Sequence, residues 1–199
     1  MTPSLKLVYF NLKGRAEIIR LCFASGKVPF EDKRITQEEF AALKPTLPFG
    51  QLPVLHVNNF VYPQSMAIVR CASTLAGIYP TDAFHLIKVE LILGCYDELV
   101  APIVEIMHSI PDEAAKAAKI KELLEDTCPK IFGYIQTLIS GRFVLGDTIS
   151  TADVAILSML DHYLVEIKEF DASKYPEIQS VAENTKAYPN IAEYLSKNR

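Results

Sequence analysis

The chain of 199 residues is long enough for one large domain or two compact ones, and it can form a packed core without covalent staples. Half of its residues are hydrophobic and 22% are charged, a balance that excludes disordered, collagenous and membrane-embedded chains. The 20 Lys and Arg residues are outnumbered by 24 Asp and Glu residues. Because the net charge of -4 creates no broad positive field, we expect neither nucleic acid nor a membrane as a partner.

The four cysteines are widely spaced and form no C-x-x-C pair, which argues against a zinc knuckle or a dithiol redox centre. We therefore expect no metal site, and we expect reduced core cysteines at Cys22, Cys71, Cys95 and Cys128. The first residues lead directly into an apolar run without the basic segment or cleavage site of a secretory signal. No apolar run approaches the ~20 residues of a membrane span, so we expect a cytoplasmic protein.

The first half of the chain alternates strand and helix patterns. Residues 5–10 are β-branched and aromatic, which predicts a strand, and a helix with apolar residues at helical spacing follows from Arg15. Gly26 lies where a left-handed cap would end this helix. A second strand is predicted over 30–35.

The next elements are marked by local turn and capping signals. Thr36, with Glu three residues later, forms a capping box that predicts a helix near 37–44. Two short apolar runs at 54–57 and 60–62 are separated by two Asn residues, which tolerate positive φ and predict a hairpin. An amphipathic helix over 65–76 completes the order β-α-β-α-β-β-α.

Residues 77–82 contain Gly, Pro and Asp and mark a domain boundary. Beyond it the chain is helical, with predicted helices at 84–108, 112–139, 151–167, 175–186 and 189–197. Ser150 and Asp153 form a second capping box at the start of one of them. The fold class predicted is α/β plus all-α, with domains at 1–79 and 84–199.

Pro53 precedes the predicted hairpin, and a proline there is expected at an edge or a special turn because it cannot donate a ladder hydrogen bond. If the Leu52–Pro53 bond is cis, the backbone N–H and C=O of Leu52 point outward as a docking edge for an extended peptide. A cysteine-containing tripeptide would fit this edge. The alternative is an ordinary trans proline that opens an edge strand.

Ser65 lies where the hairpin gives way to a helix, so its hydroxyl and the first helix amides point at one spot with partial positive charge. A ligand carboxylate would bind there. The alternative is that Ser65 is a simple N-cap.

Tyr9 lies at the end of the first strand, beside the mouth of a β-α loop. A tyrosine in an apolar strand is usually a core residue with a hydrogen-bonded hydroxyl. At this position the hydroxyl can instead point toward a bound ligand, where it could donate to a sulfur anion.

Several separated motifs occur in one order along nearly the whole chain: Tyr9-Phe10-Asn11, Gly14-Arg15-Ala16-Glu17, Lys44, Pro48-Phe49-Gly50-Gln51-Leu52-Pro53, Gln64-Ser65 and Ser150-Thr151-Ala152-Asp153. Together they resemble the tyrosine-type, sigma-class cytosolic glutathione transferases. The resemblance implies a thioredoxin-like N-terminal domain that binds glutathione and a C-terminal helical bundle that lines the electrophile site. It also implies a homodimer.

The resemblance implies that the Tyr9 hydroxyl stabilises the glutathione thiolate and that Arg15 assists it electrostatically. The other implied glutathione contacts are Phe40 and Lys44 at the glycine end, Leu52 and Pro53 at the cysteinyl unit, and Gln51, Gln64 and Ser65 at the γ-glutamyl end. Asp97 matches an acidic position that reaches the partner subunit's site. Since the family prefers Trp where this chain has Phe40, an indole donor is lost and we expect weaker binding at the glycine end.

The implied activity is the addition of glutathione, a co-substrate and not a cofactor, to small apolar electrophiles, as in detoxification. Peroxide reduction and isomerisation are further activities that the resemblance allows. By position, Phe10, Arg15, Ile103 and Met107 are candidates for the electrophile pocket. The helix near Ile103 lacks the Trp of members that isomerise prostaglandin precursors. The competing hypotheses are a non-catalytic carrier or lens protein, a cysteine-dependent disulfide reductase, and an interaction module without a pocket.

Overall fold

The computed structural model describes residues 3–198, which divide into two compact units. One unit comprises 3–79 together with 189–198, and the other comprises 80–188. The C-terminal helix, expected in the helical domain, therefore makes its contacts with the first unit. The domain limits of 1–79 and 84–199 stay a prediction.

The first unit is built on a mixed four-stranded sheet, which confirms the predicted fold class. Its strands are β1 (Leu5–Phe10), β2 (Glu31–Ile35), β3 (Val54–Val57) and β4 (Phe60–Tyr62), in the order β2-β1-β3-β4. The β1 strand pairs parallel to β2 and antiparallel to β3, and β3 forms the predicted hairpin with β4. Asn58 at the turn has a φ of 52°, the positive value that favoured Asn in the prediction.

The helices of both units follow the sequence pattern closely. They are α1 (Gly14–Ser25), α2 (Gln37–Leu43), α3 (Ser65–Ala76), α4 (Ala83–His108), α5 (Glu113–Glu122), α6 (Cys128–Gln136), α7 (Thr151–Ser158), α8 (Pro176–Lys186) and α9 (Pro189–Lys197). Thr36 accepts the Glu39 N–H and the Glu39 carboxylate accepts the Thr36 N–H, so the capping box of α2 is confirmed. Within 3–198, no helix has both the length and the apolar character needed to cross a bilayer.

Two predicted long helices are interrupted. Residues 112–139 form α5 and α6 joined by a π turn at Leu123–Thr127, and Pro129 stands just after that turn. Because proline has no N–H to donate to the preceding turn, a change of helix type before it is expected. Residues 151–167 likewise pass from α7 through a π turn at Met159–Tyr163 into a 3₁₀ turn at Leu164–Glu166.

Gly26 ends α1 as predicted, but the expected left-handed cap is wrong because its φ is -99°. Glycine is needed at this position because of a close tertiary contact with another helix. A Cβ at Gly26 would lie 2.4 Å from the Cα of Ala76, at the end of α3. The side chains predicted on the inner face of α1, including Ile18, Ile19 and Phe23, are fully buried, so α1 packs with its apolar face inward.

The second unit contains the other capping box, and it is buried. The Asp153 carboxylate accepts hydrogen bonds from the Ser150 N–H at 2.7 Å, the Ser150 hydroxyl at 2.8 Å and the Val144 N–H at 2.7 Å. Burial raises the pKa of this carboxyl from 3.8 to about 6, against the lowering effect of the three donors. Asp153 thus ties the loop at Val144 to the start of α7.

The cysteines are only partly as predicted. Cys22 and Cys128 are buried and Cys95 is half-buried, but Cys71 is exposed, so its prediction as a core residue is wrong. Cys71 lies on α3, whose inner face is formed by Ile68, Val69 and Ala72. Its outward position follows from the helical period.

We expect Gly26→Ala to lower the free energy of unfolding by about 1–3 kcal/mol, because the new methyl group meets the backbone of Ala76 and must push α1 and α3 apart. Denaturant unfolding measures the change. The control is Gly94→Ala in α4, where a Cβ meets nothing within 4 Å and the helix gains roughly 0.5–1 kcal/mol. Equal effects of the two substitutions would refute the close-packing role of Gly26.

The Asp153 carboxyl has a folded pKa above its ordinary value, so its stabilising contribution is complete below about pH 4 and is lost as the pH rises through about 6. We expect Asp153→Asn to destabilise the protein by about 1–3 kcal/mol at the acidic end, because the amide nitrogen cannot accept a hydrogen bond, whereas both oxygens of a protonated carboxyl still can. This difference from the wild type should shrink between about pH 4 and pH 7. If the stability difference between the variant and the wild type instead grows with pH, the hydrogen bonds lower the pKa of Asp153 by more than burial raises it.

Candidate functional site

Tyr9 is the penultimate residue of β1, and its ring is largely buried at 8% exposure. Its hydroxyl oxygen accepts a hydrogen bond of 3.3 Å from the backbone N–H of Arg15, in the first turn of α1. The first amides of a helix have no partner within the helix, so the Tyr9 oxygen satisfies one of them. The phenolic hydrogen stays available for donation to another group.

Gly14 makes this approach possible. Its φ is +41°, and a Cβ at this residue would lie 2.7 Å from the Tyr9 oxygen. A larger residue would therefore be strained in the backbone and would displace the phenol. The turn from β1 into α1 thus holds the Tyr9 oxygen against the helix start.

The loop before Gly14 is held by Arg20, whose side chain is fully buried. The guanidinium donates to the carbonyl oxygens of Leu12 at 2.9 Å and Lys13 at 3.4 Å. It also pairs with the carboxylates of Glu17 at 3.1 Å and Asp32 at 3.1 Å. A buried charge is stable only with such partners, so this ion-pair network fixes the backbone that leads to Arg15.

A cavity of about 430 Å³ opens within the first unit, in the range of small-ligand sites. It is lined by Arg15, Phe40, Gly50, Gln51, Leu52, Pro53, Gln64 and Ser65. All of these except Gly50 are predicted site residues. The glycine at position 50 was the available sequence signal, because glycine is common in turns that need a positive φ. Both Phe49 and Gly50 adopt a positive φ in the structure.

Three predicted site residues lie elsewhere. Lys44 flanks the cavity, with its ammonium 5.9 Å from the centre of the Phe40 ring. Tyr9 is not among the residues that line the cavity, but its hydroxyl oxygen is hydrogen-bonded to the N–H of Arg15, which does line it. Asp97 is exposed on α4 in the second unit. Of the electrophile-pocket candidates, Ile103 is fully buried, which argues against a contact with substrate.

The Leu52–Pro53 bond is cis, so the trans alternative is wrong. Within residues 3–198, neither the N–H nor the C=O of Leu52 has a hydrogen-bonding partner. The Leu52 backbone therefore offers one donor and one acceptor at the cavity, as an unpaired strand edge does. An extended peptide can pair with it.

Ser65 is the first residue of α3, and the N-cap position before it belongs to Gln64. The alternative of Ser65 as a simple N-cap is therefore wrong. Gln64 has φ 72° and ψ 101°, an unusual conformation for a residue with a side chain, and such strain concentrates at ligand sites. In the described part of the chain, the side chains of Gln51, Gln64 and Ser65 make no hydrogen bond, so all three are available to hydrogen-bond a ligand in the cavity.

The charges around the cavity are positive. Arg15 lines it, Lys44 flanks it, and no acidic side chain is among the lining residues given above. The start of α3 adds partial positive charge. An anionic ligand with a carboxylate and an extended backbone matches this arrangement.

The ion-pair network of Arg20 was not predicted from the sequence. The available signal was a single charged residue within the apolar run Ile18-Ile19-Arg20-Leu21 of a predicted helix. A charge among buried positions indicates a paired interior charge, but the sequence alone does not name the partner.

The sequence matches two family models: glutathione S-transferase, N-terminal domain, over residues 5–71, and glutathione S-transferase, C-terminal domain, over residues 97–198. It is 32% identical to the glutathione S-transferase class-mu 28 kDa isozyme of Schistosoma haematobium, covering 96% of this chain and 94% of that protein. It is 30% identical to the hematopoietic prostaglandin D synthase of Mus musculus, covering 98% and 96%.

Among solved structures, the sigma class GST of Fasciola hepatica superposes with a TM-score of 0.89 at 28% identity, covering 100% of this chain and 98% of that one. The two family models together span most of the sequence and correspond to a sheet-containing and a helical part. This chain belongs to the glutathione S-transferase family.

Proposed function

We propose that the cavity binds glutathione and that the Tyr9 hydroxyl holds its sulfur as a thiolate for attack on an electrophile. One observation carries this proposal: the Tyr9 oxygen accepts the Arg15 N–H at the start of α1 and keeps its own hydrogen for donation. An oxygen that already accepts a hydrogen bond is a stronger donor, because bonds in a chain polarise one another.

The cavity supports a defined orientation for the tripeptide. The free N–H and C=O of Leu52 would pair with the cysteinyl backbone, which brings the thiol toward Arg15 in the cavity wall and toward the Tyr9 hydroxyl bonded to its N–H. The γ-glutamyl carboxylate would lie at the start of α3, near Ser65 and Gln64 with Gln51 beside them. The glycine carboxylate would then face Lys44, next to Phe40.

Tyr9 and Arg15 can supply the interaction energy that is needed to stabilise the glutathione thiolate. An unperturbed thiol is mostly protonated at neutral pH, and only the thiolate attacks. Lowering its pKa by about two units takes roughly 2.7 kcal/mol of preferential interaction with the anion. One hydrogen bond to a charged group contributes about 1.5–3 kcal/mol, and the Arg15 guanidinium adds electrostatic stabilisation.

The second substrate is proposed to be a small apolar electrophile. Phe10 is half-buried and lies edge to face with Tyr9, with the ring centres 5.5 Å apart. Its ring offers an apolar surface beside Tyr9, and a reactant held beside the thiolate gains the advantage of proximity. Conjugation is the reaction supported best. Peroxide reduction and isomerisation stay predictions.

We also propose a homodimer, because each unit exposes large apolar side chains. Phe49 is 72% and Phe60 is 69% exposed in the first unit. On α4 of the second unit, Phe84 is 81% and Ile87 is 66% exposed, one helical turn apart. Clustered apolar side chains of this size favour burial against another surface. Asp97, also exposed on α4, is proposed to reach the partner's glutathione.

Tyr9→Phe tests the thiolate role. We expect turnover with glutathione and an aryl halide to fall about 10- to 100-fold, since the donor is lost, while the glutathione Kd changes less than about 3-fold. Steady-state kinetics and calorimetry give the two values. Tyr62→Phe, at an exposed tyrosine of β4, is the matched control and should leave both unchanged. Wild-type turnover in the Tyr9 variant would refute the proposal.

The dimer is tested by sedimentation. The wild type should have twice the chain mass of 22.2 kDa, and Phe84→Arg should shift it toward the monomer because a charge would be buried in the interface. Val165→Arg, at another apolar side chain with 62% exposure, is the control. A wild-type monomer at micromolar concentration would contradict the dimer.

A further inference from the structure

We propose that Tyr194, on the C-terminal helix α9, is a positioning residue for the thiolate site, acting through buried Glu17 and Arg20. This inference rests on the proposed role of Tyr9 as the thiolate donor. It gives the C-terminal helix a function in glutathione activation, although Tyr194 does not line the cavity.

The first link joins α9 to α1. The Tyr194 hydroxyl donates a hydrogen bond of 2.9 Å to Oε1 of Glu17, whose residue is only 2% exposed. Burial and the neighbouring Glu17 carboxylate raise the pKa of Tyr194, so the hydroxyl keeps its proton. Tyr194 is therefore a permanent donor to a carboxylate that has little access to water.

The second link joins Glu17 to the loop. Oε2 of Glu17 accepts from Nη1 of Arg20 at 3.1 Å. The same Nη1 donates to the carbonyl oxygens of Leu12 at 2.9 Å and Lys13 at 3.4 Å. Two hydrogens on Nη1 thus serve three acceptors, which compete for them, while Nη2 is buried and has no partner among the described residues. When the Tyr194 hydroxyl donates to Oε1, the Glu17 carboxylate competes less strongly for the Nη1 hydrogens of Arg20. The hydrogen bonds from Nη1 to the carbonyl oxygens of Leu12 and Lys13 are then stronger.

The third link reaches the phenol. The loop held by Arg20 runs directly into Gly14 and Arg15, and the Arg15 N–H donates to the Tyr9 oxygen at 3.3 Å. This hydrogen bond is slightly longer than the usual range of about 2.7–3.2 Å for N–H···O, and it weakens with a further shift of a few tenths of an ångström. Small displacements of the loop therefore change the polarisation of the Tyr9 hydroxyl and the place of Arg15.

The competing explanation is that α9 only packs on α1 and adds stability. The chain offers a matched control for this. Asn190, also on α9, donates through Nδ2 to the carbonyl oxygen of Ser25 at 2.7 Å. Ser25 is the last residue of α1, at the end opposite Arg15. Loss of this hydrogen bond weakens the same helix contact without touching Glu17, Arg20 or the loop.

The experiment compares Tyr194→Phe, Asn190→Ala and Tyr9→Phe in the full chain. The pKa of enzyme-bound glutathione is titrated by thiolate ultraviolet absorbance, and kcat, KM for glutathione and the thermal unfolding midpoint are measured. We expect Tyr194→Phe to raise the thiol pKa by about 0.5–1 unit and to lower kcat about 3- to 10-fold at neutral pH. KM should change less than about 2-fold. Asn190→Ala should lower the unfolding midpoint but leave the thiol pKa unchanged.

Two outcomes would overturn this inference alone. One is a wild-type thiol pKa in Tyr194→Phe while Tyr9→Phe raises it. The other is an equal rise in Tyr194→Phe and Asn190→Ala, which would mean that general docking of α9 is responsible. If Tyr9→Phe itself leaves the thiol pKa unchanged, the proposed function fails, and the role of Tyr194 fails with it.

Discussion

The hydrogen bond from the Arg15 N–H to the Tyr9 hydroxyl is the constraint on which the site depends. It requires the Tyr9 hydroxyl oxygen to lie 3.3 Å from the backbone nitrogen of Arg15, and a Cβ at Gly14 would meet that oxygen at 2.7 Å. It also requires a fixed loop between β1 and α1, and the buried guanidinium of Arg20 provides this through two backbone carbonyls. Gly14 and Arg20, which hold the Tyr9 hydroxyl in place, are not among the residues that line the cavity.

The rest of the cavity relies mainly on neutral backbone and amide groups. The turn at 49–53 presents the unpaired N–H and C=O of Leu52, and the strained Gln64 leads into the first amides of α3. We propose that these groups recognise a peptide by its shape and its carboxylates, whereas Arg15 and Lys44 add the positive charge. Binding and thiolate stabilisation are therefore assigned to different parts of one unit.

The sequence predicted features that depend on local signals. The hairpin at Asn58, both capping boxes and the amphipathic helices were found because their causes lie within a few residues. Features with distant causes were missed. Gly26 is required by its approach to Ala76, and Glu17 is satisfied by Tyr194, 177 residues away. No local pattern encodes such partners, and a single sequence does not reveal them.

A crystal structure with glutathione bound would show where the sulfur lies relative to the Tyr9 hydroxyl. We expect the sulfur within about 3.5 Å of the Tyr9 oxygen, the cysteinyl backbone paired with Leu52, and a carboxylate at the start of α3. A sulfur atom outside hydrogen-bond range of Tyr9, with the phenol bonded only to the Arg15 N–H, would refute the role of Tyr9 as the thiolate donor.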